Sequence, residues 1–232
     1  MRLICALLML FPIASFAVDG VLEINQACIN AGCFPGDAAG FPITINNPGS
    51  YRLTSNIGIR SYNSPENIFV IQVISSNVSL DLNGFAVIGD TTCTDGSFKD
   101  SPVTSCLPKG VGVGIGVPVI SATGISISNG FIQGMGDHGL WFGEAGCRVS
   151  NMVVSENGSY GLLGGNKGLF LNNISSRNGE GGFSVSGTLI GNSARANRTF
   201  GIQSFRGHLN NNIVNAMVVL GLSAPPVPFQ IV

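Results

Sequence analysis

The stretch "VSENGSYGLLGGNKGLFLNNISSRNGEGGFSVS", residues 154–186, decides the fold because it passes twice through one short pattern. Asn157-Gly158 and Asn178-Gly179 stand 21 residues apart, and each pair is followed by another glycine and an apolar residue. Equivalent glycines recur at steps of 22, 21 and 19 residues: Gly139, Gly161, Gly182 and Gly201. A repeat of about 20 residues is typical of solenoid proteins.

The residue types in the repeat favour strands over helices. A helix with this much glycine would lose roughly 1 kcal/mol per glycine, and no leucine-rich frame is present. Short apolar or alternating pieces such as "RVSNMVV" (148–154) and "FSVSGTLIG" (183–191) are bounded by Gly or Asn, as strands are. We therefore predict coils of strand and turn that stack in parallel at about 4.8 Å.

The period of two within a strand assigns inner and outer positions. One inner file is predicted to contain Leu140, Leu162, Phe183 and Ile202. The next positions are predicted to face outward: Trp141, Leu163, Ser184 and Gln203. Trp141, Leu163 and Gln203 would form a small platform on which a sugar could stack. Packing of Trp141 beneath an inserted loop is the alternative.

Asparagine residues recur at the same intervals as the repeat glycines. Asn157, Asn178 and Asn197 each precede a repeat glycine by four residues. A second set is aligned upstream of them: Asn129, Asn151, Asn173 and Asn192. Stacked amides can bond to each other and to turn backbones, so both sets are predicted to satisfy sharp corners.

The remaining segments fit around this repeat. Residues 1–17 join Arg2 to an apolar run and a Ser-x-Ala step, which predicts a secretory signal cleaved after Ala17. Residues 18–40 are predicted to form a short helical N-terminal cap, since Val21, Ile24 and Cys28 have helical spacing. Residues 41–220 would form the solenoid, with an insertion loop at 90–109, and residues 221–232 a C-terminal cap or tail.

The composition limits the classes of binding partner that we expect. The 232 residues are 44% hydrophobic and only 10% charged, with a net charge of −1, so neither nucleic acid nor membrane insertion is predicted. Cys28 and Cys33 bracket a turn-like segment and Cys93 and Cys106 bracket a polar one, which predicts two disulfides in sequence order. With only two histidines, no metal site is predicted.

The segments "PGSYRLTSNI" (48–57) and "VSLDLNGFAVIG" (78–89), together with the Asn-Gly repeats, resemble bacterial secreted right-handed parallel β-helix proteins of the pectin-lyase-like superfold. The resemblance covers roughly residues 20–220. It implies an all-β, single-stranded right-handed parallel β-helix of about seven rungs. The superfold holds lyases, hydrolases, epimerases, tailspikes and adhesins, so the resemblance implies a fold without fixing an activity.

Relatives that act on polysaccharides imply candidate catalytic residues. Asp137 aligns with Glu180 two rungs away, about 9–10 Å by strand spacing, at the upper edge of the carboxylate separation in inverting hydrolases. The dipeptide Asp137-His138 is similar to the Asp-Pro-His signature of the uronate epimerases but lacks the proline between the two residues. The lyases bind calcium through converging carboxylates. No such set is found here, so calcium and other cofactors are not predicted.

Two functions follow as hypotheses. The first is a secreted, periplasmic or extracellular, non-catalytic scaffold that binds glycan or cell-surface polysaccharide. The alternative is a polysaccharide-modifying lyase, hydrolase or epimerase that uses Asp137, His138 and Glu180. The sequence does not predict an oligomeric state.

Overall fold

A computed structural model describes residues 20–59, 69–96, 101–108 and 112–215, and the backbone of 218–220. Within these residues the chain is all-β. Its strands form one 19-stranded sheet, which curls into a half-barrel, and a separate two-stranded hairpin. Every strand pair in the large sheet is parallel, as the repeat predicts.

The large sheet consists of three ladders of parallel strands, which we name A, B and C. Ladder A contains Ile43–Ile45, Phe69–Val73, Val113–Val117, Leu140–Phe142, the first halves of Leu162–Leu171 and Gly181–Ile190, Phe200–Ser204 and Val218–Leu220. Ladder B contains Leu22–Ile24, Gly49–Leu53, Val78–Asp81, the first halves of Ile125–Gln133 and Cys147–Ser155, the second halves of Leu162–Leu171 and Gly181–Ile190, and Leu209–Asn210. Ladder C contains Ile57–Gly58, Ala86–Ile88, the second halves of Ile125–Gln133 and Cys147–Ser155, Ile174–Ser176, Ser193–Arg195 and Ile213–Asn215.

From Ile43 onward the chain visits ladders A, B and C in the same order on each pass. Each pass lies against the next, so every strand pairs with its counterpart one repeat later. This path is consistent with a parallel β-solenoid. Its handedness and the expected number of about seven rungs stay predictions.

The predicted inner file is confirmed. Leu140 pairs with Leu162, Leu162 with Phe183, and Phe183 with Ile202, and all four are fully buried. The file continues in the other direction through three isoleucines of ladder A: Ile115, Ile71 and Ile43. Burying each such side chain contributes about 1.5–3 kcal/mol, so this file forms one wall of a continuous core.

One predicted asparagine corner is confirmed. Asn157 Nδ2 donates to Asn178 Oδ1 at 2.9 Å, and Asn178 Nδ2 donates to Asn197 Oδ1 at 2.9 Å. Each Oδ1 also accepts a backbone N–H from the coil before it, as Asn157 Oδ1 does from Met135. All three asparagines are fully buried between ladders C and A. The amide ladder therefore satisfies polar groups that water cannot reach.

The second predicted asparagine set was aligned incorrectly. Ser150 pairs with Ser128 and Leu171, so Asn129 and Asn151 match Asn172, not Asn173. These three have positive φ values near +55° and are exposed. Asn173 and Asn192 lie one position further on and are buried, bonded to each other at 2.9 Å and then to Asn212 at 3.0 Å. The set is thus two adjacent columns, and the doublet Asn172-Asn173 contributes to both.

The inserted segment forms an antiparallel hairpin of Thr92–Thr94 and Ser105–Leu107, joined by the Cys93–Cys106 disulfide. Arg177 fastens it to the solenoid. The guanidinium binds Glu156 Oε1 at 3.1 Å, donates to the Cys93 carbonyl at 2.9 Å, and pairs with Asp95. The hairpin therefore lies over the corner that holds Asn157 and Asn178.

The N-terminal helical cap is not confirmed. Leu22–Ile24 is a strand, and the helix nearby is a 3-10 helix of three residues, Cys28–Asn30. The segment is nevertheless closed by the predicted Cys28–Cys33 disulfide. Asp37 Oδ1 accepts the Thr44 N–H at 2.8 Å and Gln26 Oε1 accepts the Gly58 N–H at 2.7 Å, so it satisfies edge groups of the first strands.

The division into domains stays a prediction, and the signal segment 1–17 and the tail 221–232 lie outside the described residues. The two disulfides are typical of an oxidising compartment outside the cytoplasm. No helix in the described ranges has the length and apolar character needed to cross a bilayer.

We expect Asn178→Ala to destabilise the protein by about 2–4 kcal/mol, because it leaves the buried Asn157 amide and backbone N–H without their acceptor. Denaturant unfolding measures this. Asn151→Gly is the control: Asn151 is exposed with φ +55°, which glycine adopts freely, so a change within about 1 kcal/mol is expected. Equal losses in both variants would contradict a structural amide ladder.

Candidate functional site

The outer file of ladder A contains the residues predicted to bind glycan. Trp141 pairs with Leu163, Leu163 with Ser184, and Ser184 with Gln203. Trp141, Leu163 and Gln203 are partly exposed, whereas Ser184 is almost buried. In the other direction the file continues through Gly116, Gln72 and Thr44. The structure thus brings the three predicted residues into one line across successive strands.

Phe69 completes this surface, and the sequence analysis missed it. Its ring stacks on Trp141 with centroids 5.5 Å apart and planes 8° from parallel. The two residues lie on strands that flank Val113–Val117. Phe69 reaches across that strand because Gly116 has no side chain there, and a Cβ at Gly116 would overlap the Phe69 ring. Gly116 stands at the outward position that pairs with Trp141, and this glycine was the sequence signal that could have indicated the contact with Phe69.

Among the described residues, Phe69 is therefore the aromatic side chain that covers one face of Trp141. The described part of the Cys93–Cys106 hairpin contacts the corner of Asn157, Arg177 and Ala196, and packing of Trp141 beneath the rest of the insertion stays a prediction. Trp141, Phe69 and Leu163, which we call the ladder A platform, form a partly exposed apolar patch. Amides and hydroxyls extend the same file on both sides, and the Ser184 hydroxyl lies 3.5 Å from Gln203 Oε1.

The predicted catalytic residues lie at the corner that leads into ladder A, three to four positions before the platform. Asp137, Ser159, Glu180 and Thr199 follow one another on successive coils, since each donates its N–H to the carbonyl of the one before. Glu180 is therefore two coils from Asp137, about 10 Å by strand spacing, with Ser159 between. The Ser159 hydroxyl donates to Glu180 Oε2 at 2.9 Å.

His138 is the imidazole of this corner. Its Nδ1 lies 3.2 Å from Asp137 Oδ1 and 3.4 Å from the Tyr160 backbone nitrogen. A protonated Nδ1 donates to Asp137, whereas a bare Nδ1 accepts from the Tyr160 N–H, so the two contacts belong to different proton states. The ring also packs against Tyr160, which in turn packs against Phe200, with centroids 5.6 and 5.8 Å apart. His138 thus starts an aromatic file beside the platform.

Burial shifts the pKa values of His138 and Tyr160 at this corner. It lowers the pKa of His138 below the ordinary 6.5, and the nearby carboxylates of Asp137 and Glu180 offset only part of that effect. Burial and the Glu180 carboxylate raise the pKa of the Tyr160 hydroxyl. His138 is therefore neutral at physiological pH and could accept a proton, while Tyr160 stays protonated.

Within the described residues, Cys147 and the other carboxylates are further candidates for reactive or metal-binding groups. Cys147 is buried in the core, and burial raises the pKa of its thiol to about 12, so it is an unreactive packing residue. Within the described ranges, no group of three His, Cys, Asp or Glu side chains is arranged to hold a metal ion.

Comparison of the chain with protein-family models, with curated proteins and with solved structures finds no match.

We expect stability to fall as the pH decreases below about 6.5, because the unfolded chain protonates His138 near 6.5 while burial lowers the native pKa and the native state resists protonation until a lower pH. The contribution is complete above 6.5 and is lost as the pH falls through the lowered native value. Thermal unfolding of His138→Gln against the wild type measures it, and the variant should show a flatter profile. His208→Gln is the control, since His208 is exposed; an unchanged slope in His138→Gln would contradict the assignment.

Proposed function

We propose that the protein is a non-catalytic scaffold that binds a glycan or cell-surface polysaccharide on the outer face of ladder A. The observation that carries the proposal is the stacked Phe69–Trp141 pair on a strand face. Aromatic rings that are partly exposed offer an apolar body to the C–H face of a sugar, and large exposed aromatics on a rigid surface are typical of recognition sites.

The neighbours of the pair support the same function. Gln72 and Gln203 stand in the outer file on either side of the platform and are partly exposed. Each carboxamide offers two donors and an acceptor, which suit the hydroxyls of a sugar. Most strands of ladder A are hydrogen-bonded to a neighbouring strand on each side. The backbone of this face is therefore held in place before a ligand binds, and binding costs little conformational entropy.

We also propose that the fold is a right-handed parallel β-helix of the pectin-lyase-like kind. A right-handed β-helix of the pectin-lyase-like superfold would unite the parallel ladders, the asparagine corners and a glycan ligand in one account. Two disulfides support a place outside the cytoplasm, where such a ligand is found. Secretion through a signal cleaved after Ala17 is part of the same proposal.

We expect Trp141→Ala to weaken glycan binding about tenfold or more, since buried tryptophan contacts commonly contribute over 1 kcal/mol. A broad glycan array followed by titration calorimetry measures this. Phe131→Ala is the matched control, because Phe131 is an aromatic 44% exposed on ladder C, and its binding should equal the wild type.

The wild-type protein provides a second measurement, because Trp141 is the only tryptophan in the chain. A sugar stacked on the platform should shift or quench its emission. An array that stays silent, or a glycan that binds without changing Trp141 emission and equally well in both variants, would contradict the proposal.

The second candidate is a polysaccharide-modifying enzyme, favoured by the meeting of Asp137, His138 and Glu180 at one corner. A neutral imidazole beside a carboxylate suits proton abstraction, and the two carboxylates could act as an acid–base pair. Product release from a polysaccharide that His138→Gln abolishes and Trp141→Ala only weakens would favour this function over simple binding.

A further inference from the structure

We infer that the glycan bound by ladder A is uncharged, built from neutral sugars without a uronate, sulfate or phosphate on each unit. The inference rests on the proposed function and adds the ligand class. It comes from the distribution of charge over the three ladders, because a ligand with one negative charge per sugar needs cations along the whole length of its site.

The strands of ladder A carry no charged residue. Their sequences are ITI, FVIQV, VGIGV, LWF, LLG, GGFSV, FGIQS and VVL. From Ile43 to Ser204, the outward positions of these strands hold aromatic and aliphatic side chains, amides, hydroxyls and Gly116. Ladder B differs, since Glu23, Arg52, Asp81 and Arg148 stand in its outer files, and ladder C carries Arg195.

Among the residues that the structure describes, charges beside the ladder A face stand at its borders, and there they are mixed. Asp137 and Glu180 stand nearest to the platform on the incoming corner, with the exposed Arg198 one position beyond their column. On the outgoing side lie Glu144, Lys167 and Arg206, all exposed. Within the described part of the chain, a polyanion lying on the platform would meet no cation beneath it, and the described charged side chains nearest to it on the incoming side are the carboxylates of Asp137 and Glu180.

The uncharged side chains on the outer face of ladder A suit a neutral sugar. A sugar does not need a charge to stack on Phe69 and Trp141. The carboxamides of Gln72 and Gln203 can form hydrogen bonds with sugar hydroxyls as donor or as acceptor. Desolvating a carboxylate against such a surface would cost free energy without an ion pair to offset it.

Titration of the mature protein with cellohexaose, xylohexaose, mannohexaose and hexagalacturonate tests the inference. At least one neutral probe should bind, and hexagalacturonate should bind about tenfold more weakly or not at all. Equal or tighter binding of hexagalacturonate would overturn the inference and leave glycan binding intact. If no probe binds and a glycan array is also silent, the proposed function itself fails.

A charge-gain variant tests the location. We expect Gln203→Arg to raise hexagalacturonate affinity about tenfold at low salt, because a guanidinium on the platform's edge supplies a bidentate partner for a carboxylate. Gln133→Arg is the matched control on ladder C, where Gln133 is exposed, and it should leave the affinity unchanged. Equal gains in both variants would show attraction by net charge alone and would overturn the placement on ladder A.

Discussion

The fold depends on asparagine amides that are buried at two corners and bonded from coil to coil. After the first asparagine of each column, every Oδ1 accepts both a side-chain amide and a backbone N–H from the preceding coil, as Asn178 does from Asn157. A coil that was one residue out of step would leave these groups unsatisfied and would turn its apolar residues outward. The ladders therefore tolerate extra residues only where they can leave the coil, as the Cys93–Cys106 hairpin does.

Because the register is fixed, the outer surface is fixed with it. Residues 19 to 22 positions apart in the chain become neighbours on one face, and Trp141, Leu163, Ser184 and Gln203 form a line. Gly116 belongs to this design, since its missing side chain lets Phe69 reach Trp141. The site is thus built by side chains on stacked strands, and the platform lies beside the Asp137–His138 corner because that corner leads directly into ladder A.

The regular part of the sequence predicted the structure well, whereas the irregular part predicted the two disulfides but not all of the local structure around them. Leu140, Leu162, Phe183 and Ile202 were placed correctly because glycine marks each coil at the same position. Phe69 was missed because its coil precedes the clear repeats and could not be aligned with Trp141. The frame of Asn129 and Asn151 slipped by one residue because the doublet Asn172-Asn173 fits either of two columns. The helical form of the N-terminal cap was not confirmed, because three apolar positions at helical spacing also fit a strand followed by a turn.

Disulfide trapping tests the register most directly. Leu169 and Thr188 face each other on ladder B, 19 residues apart in the chain and both partly exposed. Cysteines in adjacent parallel strands lie within the reach of a disulfide, whereas a two-residue offset places them about 7–8 Å apart. The account predicts that Leu169→Cys/Thr188→Cys cross-links readily on oxidation and that Leu169→Cys/Ile190→Cys does not. Cross-linking of the offset pair in preference to the aligned pair would contradict the stacking on which the surface and its proposed ligand rest.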